Sequence, residues 1–414
     1  MNVQPVASVA GGPPLRILWT LPYLPWPTTS GGKLRQFHLL RALSARGHRI
    51  TVLAQSKDAL GADSRRQLES VAERLIVLPR RPLKHPLTLL AAALAPYPLL
   101  ASVNGLAPAL RRTFGELLEQ PWDVVQIEHS YALQPFLPEL RRRRQPFVLT
   151  EHNVESTLGA ATYQGLPRWL APFVLWDRWR YRRWEETALG AAERVAAVTW
   201  EDAAEMSRRS GRLVDVVING VDAAAFATVR PALDSQRLLF VGNFEYPPNR
   251  DAVEWLADEI MPRLWRLLPQ ARLAVCGHAM PESWARRWPD ARLEWQGFVP
   301  ALPPQQGRAA AFIAPLREGG GSKLKVLEAL AAGLPLLSTP QGVSGLALQH
   351  GRDCLLGEDA AQLAAAAAEL LSRPDRAAGL GAAGRAYAAR RHDWSVAADQ
   401  LETIYRELRH ARRP

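Results

Sequence analysis

"LRILWTLPYLPWPTTSGGKLRQFHLLRALSARGHRITVLAQ", residues 15–55, reads as strand, long Pro/Gly loop, helix, strand. Ile17 to Leu21 is a short apolar run. Leu34, Phe37, Leu40 and Leu43 recur at helical spacing, Gly47 stops the helix, and Ile50 to Ala54 makes the next strand. Two strands with a helix between them form a βαβ unit, which predicts a parallel sheet with right-handed crossovers. Further strand candidates lie at 75–78, 124–127, 148–150, 195–199 and 214–218. The alternation restarts with "RLLFVGNF" (237–244) and a long amphipathic helix at 251–269, followed by strands at 271–277, 292–298, 310–316 and 334–339. The intervening stretch has no clear period. The pattern predicts an α/β protein with two doubly wound Rossmann-like domains: residues 1–226, a linker at 227–236, residues 237–392, and a last helical segment at 393–414. Ligands are expected at the carboxyl ends of the strands.

Composition narrows the function. A chain of 414 residues exceeds one ordinary core, and 48% hydrophobic content excludes a disordered chain. Two cysteines, Cys276 and Cys354, make neither a disulfide framework nor a zinc site, and they suit a reducing compartment. The first thirty residues show no secretion signal, so a cytoplasmic location is expected. The net charge of +11 invites a nucleic-acid reading, but no nucleic-acid motif accompanies it. The runs Arg141 to Arg144 and Arg178 to Glu186 read as solvated basic faces. The uncharged stretch 86–103, broken by Pro86, Pro96 and Pro98, reads as an ordinary helix pair, with an interfacial element or a spanning helix as alternatives. Its basic flank makes an anionic membrane surface a candidate partner, with the protein peripheral at the inner face of the membrane.

"EGGGSKLKVLEALAAGLPLLSTP", residues 318–340, carries the chemistry. Only five of the 51 Lys and Arg residues are lysine, and Lys323 and Lys325 stand together behind a glycine triplet at a predicted helix start. Strand, glycine loop, helix N-terminus is an arrangement that offers bare N–H groups to an anion, and a compact ammonium suits a phosphate. The loop is not a Walker A motif. Glu328, about two turns into the helix, is placed to accept two vicinal hydroxyls of a ribose. The bland reading is a flexible loop with a chance lysine pair and a solvated glutamate. No Asp-x-Asp metal motif is present, so no metal and no cofactor are expected.

The stretch 318–346, "EGGGSKLKVLEALAAGLPLLSTPQGVSGL", resembles the nucleotide-sugar signature of retaining glycosyltransferases of family four, which have the GT-B fold. Four more segments are similar in type and order: the glycine loop and helix within 25–53, "TEHNVES" (150–156), "VINGVDAAAF" (217–226) and "LLFVGNFEYPPNRDAVEWLADEIMPRL" (238–264). The resemblance implies two Rossmann-like domains facing a cleft, with the final helix crossing back to the first. It assigns Glu328 to the donor ribose. Gly319, Gly320, Gly321 and Ser322, with Lys323 and Lys325, form the diphosphate cradle, and Gly242 and Asn243 the donor loop. Phe298 and Val299 lie where the base is read. His152 is implied to stand beside the transferred sugar, and Gly31 and Gly32 near the diphosphate. The family's first glutamate would fall on Gly320; Glu318, two residues early, is the candidate replacement. Asn243 stands where an arginine is usual, which leaves Lys323 and Lys325 as the nearest source of positive charge.

The activity this implies is transfer of a sugar from a nucleotide diphosphate to a glycan or lipid-linked acceptor, with retention, in exopolysaccharide-type cell-surface synthesis. The partners implied are a nucleotide sugar and that acceptor, and no nucleic acid. The rivals are a nucleotide-sugar epimerase of the same architecture, a non-catalytic scaffold on that fold, and a nucleic-acid binder suggested by charge alone.

Overall fold

The computed structural model describes residues 12–80, 86–154, 156, 168–319 and 323–411. They form two compact units, residues 1–218 with 397–414, and residues 219–396.

The first unit holds strands β1 (Arg16–Leu21), β2 (Arg49–Ser56), β3 (Arg74–Pro79), β4 (Val124–Glu128), β5 (Val148–Glu151), β6 (Arg194–Ala197) and β7 (Asp215–Val216). They pair in the order β3-β2-β1-β4-β5-β6-β7, all parallel. The βαβ reading of residues 15–55 is realised as β1, the helix Gly31–Ala45 and β2. Ser30 caps that helix by accepting from Lys33 N at 3.5 Å. The last helix, Trp394–His410, seats Tyr405 in this unit, where its hydroxyl donates to Gln126 Oε1 at 3.1 Å.

The second unit holds β8 (Arg237–Val241), β9 (Arg272–Cys276), β10 (Leu293–Gly297), β11 (Ala311–Ala314), β12 (Leu336–Ser338) and β13 (Leu355–Leu356), in the order β10-β9-β8-β11-β12-β13 and again parallel. Side chains alternate between two cores. Leu238, Phe240, Leu273, Val275 and Ile313 enter one, while Leu239, Ala274, Cys276, Phe312 and Ala314 enter the other. Burial on both faces is what a parallel sheet covered by crossover helices requires. In both sheets the order reverses beside the first strand, between β1 and β4 and between β8 and β11, and doubly wound proteins bind ligands in that crevice.

Three sequence expectations shift. Residues 219–226, read as the tail of the first domain, belong with the second unit, because Val221 and Phe226 are buried in the core around Leu327 and Leu330. Val229, expected in a free linker, is buried there too. The long helix starts at Pro247 rather than 251 and passes through a π-helical stretch at Leu256–Ile260, just before Pro262, which lacks the N–H to continue the ladder. The stretch 86–103 contributes the helices Pro86–Leu94 and Leu99–Gly105, and no helix among the described residues is long and apolar enough to cross a membrane.

Adjacent strands of the second sheet end in close contact. Gly277 follows β9 with φ +148°, and a Cβ there would stand 1.7 Å from the Gly242 carbonyl oxygen. Backbone cannot yield as a flexible side chain does. Gly277→Ala is therefore expected to destabilise the second unit by about 2–5 kcal/mol, combining overpacking with left-handed strain. Urea unfolding followed by tryptophan fluorescence measures this; an unchanged midpoint refutes the close approach.

Candidate nucleotide-sugar site

In the second unit the loops after β8 and β11 frame the crevice. Gly242 is buried and Asn243 is exposed at the head of the first loop. Asn249, on the helix Pro247–Trp255, donates from Nδ2 to the Asn243 carbonyl at 2.7 Å. A side chain on Gly242 would begin 3.1 Å from Asn249, so glycine keeps room for this bond. Across the crevice, Lys325 Nζ donates to Asn249 Oδ1 at 2.5 Å and lies 4.7 Å from the Phe240 ring centre. One lysine thus joins the helix after β11 to the helix and loop after β8.

Lys323 is the N-cap of the helix Leu324–Ala331 and so still belongs to the loop. Its side chain is buried, and Nζ donates back to the Gly319 carbonyl at 2.8 Å. Gln341 Nε2 donates to the same oxygen at 2.7 Å. Gly319 has φ +109°, and a Cβ would meet the Tyr246 hydroxyl at 2.8 Å, so this position needs glycine twice over. Gly320, Gly321 and Ser322 lie outside the described residues. Glu318 is exposed at the loop's start.

Glu328 is the fifth residue of its helix, just over one turn in rather than two. Its carboxylate takes no hydrogen bond among the described residues. Burial lifts its pKa to about 7 against the pull of Lys325. Burial, then repulsion from Lys323, lowers Lys325 to about 7 against the pull of Glu328. A carboxylate and an ammonium, both half-buried and with unmet electrostatic demand, are the marks of a ligand site. Phe298 is exposed after the strand-ending Gly297 and meets His278 edge-on at 6.5 Å, while Val299 packs partly on the core. They stand at the carboxyl end of β10, apart from the lysine–glutamate group along the sheet order.

The first unit places a second cluster at the carboxyl ends of β4 and β5. His152 Nε2 lies 2.7 Å from Glu128 Oε2. Trp19 Nε1 and Gln126 Nε2 both donate to Glu128 Oε1 at 3.1 Å. The Tyr23 hydroxyl lies 3.1 Å from His129 Nε2, and the two histidine rings are 4.2 Å apart. Burial works to raise Glu128, but the His152 hydrogen bond and the charges of His152, His129 and Arg35 hold it below the usual carboxylate range. Burial, then repulsion from His129, lowers His152 to about 4. The pair is therefore carboxylate and neutral imidazole at neutral pH. A carboxylate only accepts, so the imidazole proton sits on Nε2 and Nδ1 keeps a lone pair. That Nδ1 stands 3.3 Å from where a side chain on Gly32 would begin, and the Tyr23 hydroxyl stands 2.7 Å from it. Gly32 is glycine so that the helix start can approach both groups; Gly31, ahead of it, is exposed. Ligand atoms of Glu128, His129 and His152 lie within 4.8 Å of one another, a spacing that can hold a metal ion. Glu128 already accepts from Trp19, Gln126 and His152, and these bonds account for the arrangement without an ion.

Asn249 and Gln341 are not singled out by sequence, since each becomes notable only through a partner 76 or 22 residues away. Ahead of the last helix, His392 bonds the Asn219 carbonyl and the Tyr387 hydroxyl, and Asp393 accepts from Ala223 N.

Comparison with known proteins bears on the family and the fold. Residues 30–225 match the family described as Glycosyltransferase Family 4, and residues 235–373 match Glycosyl transferases group 1. The chain is 27% identical over 410 residues to a glycogen synthase of Mycobacterium tuberculosis, covering 94% of each. It is 26% identical over 330 residues to a phosphatidyl-myo-inositol mannosyltransferase of Mycolicibacterium smegmatis, covering 75% of this chain and 78% of that one. Among solved structures, sucrose-phosphate synthase of Thermosynechococcus elongatus superposes with TM-score 0.67 at 18% identity, over 96% of this chain and 100% of that one. Anabaena HepE in complex with UDP and glucose gives 0.63 at 16%, over 94% and 99%. These likenesses show the GT-B class of fold. With a Family 4 match followed by a group 1 match, set in order on two Rossmann-type sheets, the comparisons support a glycosyltransferase.

Proposed function

We propose that the protein moves a sugar, with retention, from a nucleotide-diphosphate donor to a glycan or lipid-linked acceptor in cell-surface polysaccharide synthesis. The observation that carries the reading is Glu328: a carboxyl without a hydrogen-bond partner among the described residues, held near neutrality beside Lys325, one helical turn behind the glycine loop. A ribose with two vicinal hydroxyls supplies the donors it lacks. The relatives by name include a glycogen synthase and phosphatidyl-myo-inositol mannosyltransferases, which bracket the two acceptor classes.

In this reading the donor diphosphate sits at the start of the helix Leu324–Ala331. Lys323, Lys325 and the helix N–H groups neutralise the charge that grows as the sugar leaves, in place of a metal ion. The departing phosphate oxygen takes the acceptor proton, so no protein nucleophile is needed. Glu318 is the carboxylate nearest the place of the absent first glutamate. In the first unit, His152 Nδ1 accepts from a hydroxyl of the transferred sugar, and Glu128 fixes the tautomer that makes it an acceptor. An epimerase or a scaffold on the same fold has no comparable support.

Hydrolysis of a panel of UDP-, GDP- and ADP-sugars without acceptor tests the reading: one donor is expected to turn over, undiminished by EDTA, with the anomeric configuration retained by NMR. Binding of its nucleoside diphosphate without turnover favours a scaffold, and inversion rejects the mechanism.

The site's charges set a pH dependence. Below pH 7 Glu328 protonates and loses its acceptor role; above pH 7 Lys325 loses its charge. Nucleoside diphosphate affinity is expected to peak near neutrality and fall by up to about tenfold per pH unit on either side. Calorimetry on Glu328→Gln removes the acid limb and on Lys325→Met the basic limb; a flat wild-type profile rejects the assignment. Lys323→Ala is expected to cost about ten- to a hundredfold in kcat/KM, from a lost charged hydrogen bond.

Glu128→Gln reverses the imidazole. Trp19 and Gln126 donate to Oε1, so the amide oxygen takes that place and the NH2 faces His152 Nε2. The proton moves to Nδ1, and the acceptor becomes a donor. Turnover is expected to fall about ten- to a hundredfold with nucleotide affinity unchanged. A histidine 15N NMR spectrum reads the tautomer directly; an Nε2–H form in the variant refutes the argument.

A further inference from the structure

The helix Ala171–Ala191 of the first unit is inside out over its first half. Asp177 and Arg180 are buried, whereas Leu175, Trp176 and Trp179 are 66%, 44% and 54% exposed, and Trp169, just ahead of the helix, is 76% exposed. A surface helix normally shows the reverse. The buried charges have a structural task. Asp177 and Arg180 form an ion pair. The Asp177 carboxylate accepts from Leu99 N at 3.0 Å and caps the helix Leu99–Gly105. Arg180 donates to the Ala93 and Ala95 carbonyls at the end of the helix Pro86–Leu94. One pair thus fastens two short helices to the long one, and structure explains the charges inside.

It does not explain the tryptophans outside. At about 100° per residue, Leu175, Trp176 and Trp179 fall within a stripe about 100° wide, with Arg178 and Arg182 along one flank and Arg183 continuing the stripe. The Arg183 guanidinium lies 5.2 Å over the Trp179 ring. Between residues 169 and 185 the exposed side chains include no carboxylate, and the first one beyond, Glu186, pairs with Arg182 at 3.5 Å on the surface. The Arg180 guanidinium lies 3.7 Å over Trp176 while bonding the end of the helix Pro86–Leu94, so the exposed Leu94 of that helix adjoins the stripe.

We propose that this face docks on an anionic lipid bilayer, with Leu175, Trp176 and Trp179 at the headgroup–acyl boundary and Arg178, Arg182 and Arg183 on lipid phosphates. The proposal rests on the reading that the acceptor is lipid-linked or made at a membrane. Tryptophan and leucine on one stripe with arginine beside them is the make-up of an interfacial helix. A second copy of the chain is the poorer occupant, because a two-fold interface would set like charge against like.

Cosedimentation with phosphatidylcholine vesicles containing phosphatidylglycerol tests this. Wild type is expected to bind at low ionic strength and release as salt rises. The double change Leu175→Ser with Trp179→Ser is expected to weaken binding at least about tenfold, and Arg178→Gln or Arg182→Gln about fivefold each. Leu267→Ser, an exposed leucine of the second unit, serves as the unaffected control. Donor hydrolysis without vesicles is expected to be equal in all of them. The proposal fails if wild type ignores anionic vesicles at low salt, if the double variant binds as well, or if neutral vesicles bind equally. It also fails if light scattering shows a dimer that the double variant loses while vesicles are ignored. If vesicles bind and no nucleotide sugar is turned over, the transferase reading fails and the docking face stands.

Discussion

The bond from Lys325 Nζ to Asn249 Oδ1 is the constraint on which the second unit's crevice depends. A parallel sheet that reverses its order leaves two βα loops with no strand between them, and nothing in the ladder sets their separation. Lys325 reaches from one helix to the other, and Asn249 passes the connection on to the Asn243 carbonyl. The cost is a half-buried ammonium, which desolvation drives toward neutrality, and which Asn249 alone does not satisfy. A site held this way is preorganised for an anion, whose charge would offset the desolvation that the fold imposes.

The first unit meets the same topological problem with different chemistry. Its crevice between β1 and β4 is closed by aromatic and imidazole groups, with Trp19, Tyr23, His129 and His152 gathered around one carboxylate. The His152 hydrogen bond and the charges of His152, His129 and Arg35 keep Glu128 ionised despite full burial. Its role is orientation rather than charge supply, since a neutral imidazole presents only a lone pair or a proton, and the carboxylate decides which. One sheet topology thus carries a lysine-bearing edge in one unit and a neutral imidazole edge in the other, each set by the few residues that end its strands.

Glycine is the backbone counterpart of these networks. Gly242, Gly277 and Gly297 follow or end three neighbouring strands of the second sheet, and the carbonyl of the first occupies the space a side chain on the second would need. Where strands converge this closely, the residue that follows a strand is dictated by its neighbour's backbone.

Periodicity was enough to determine the alternation of strands and helices, the parallel sheets and the two-unit organisation, because burial on both faces imposes long apolar runs separated by amphipathic helices. The glycine triplet, the lysine pair and Glu328 were legible as well, since they lie within ten residues of one another and their chemistry is local. Sequence did not reveal that residues 219–226 pack with the second unit, because their apolar residues are too few to show a period and their partners lie a hundred positions away. Nor did it reveal that β5 brings His152 to Glu128, or that Lys323 turns back onto Gly319 while Lys325 turns inward. Strand order and helix packing decide which side chains meet, and pKa values follow from that meeting. The sequence determined which groups are present at the carboxyl edges; only the tertiary structure decided which of them are charged and where they point.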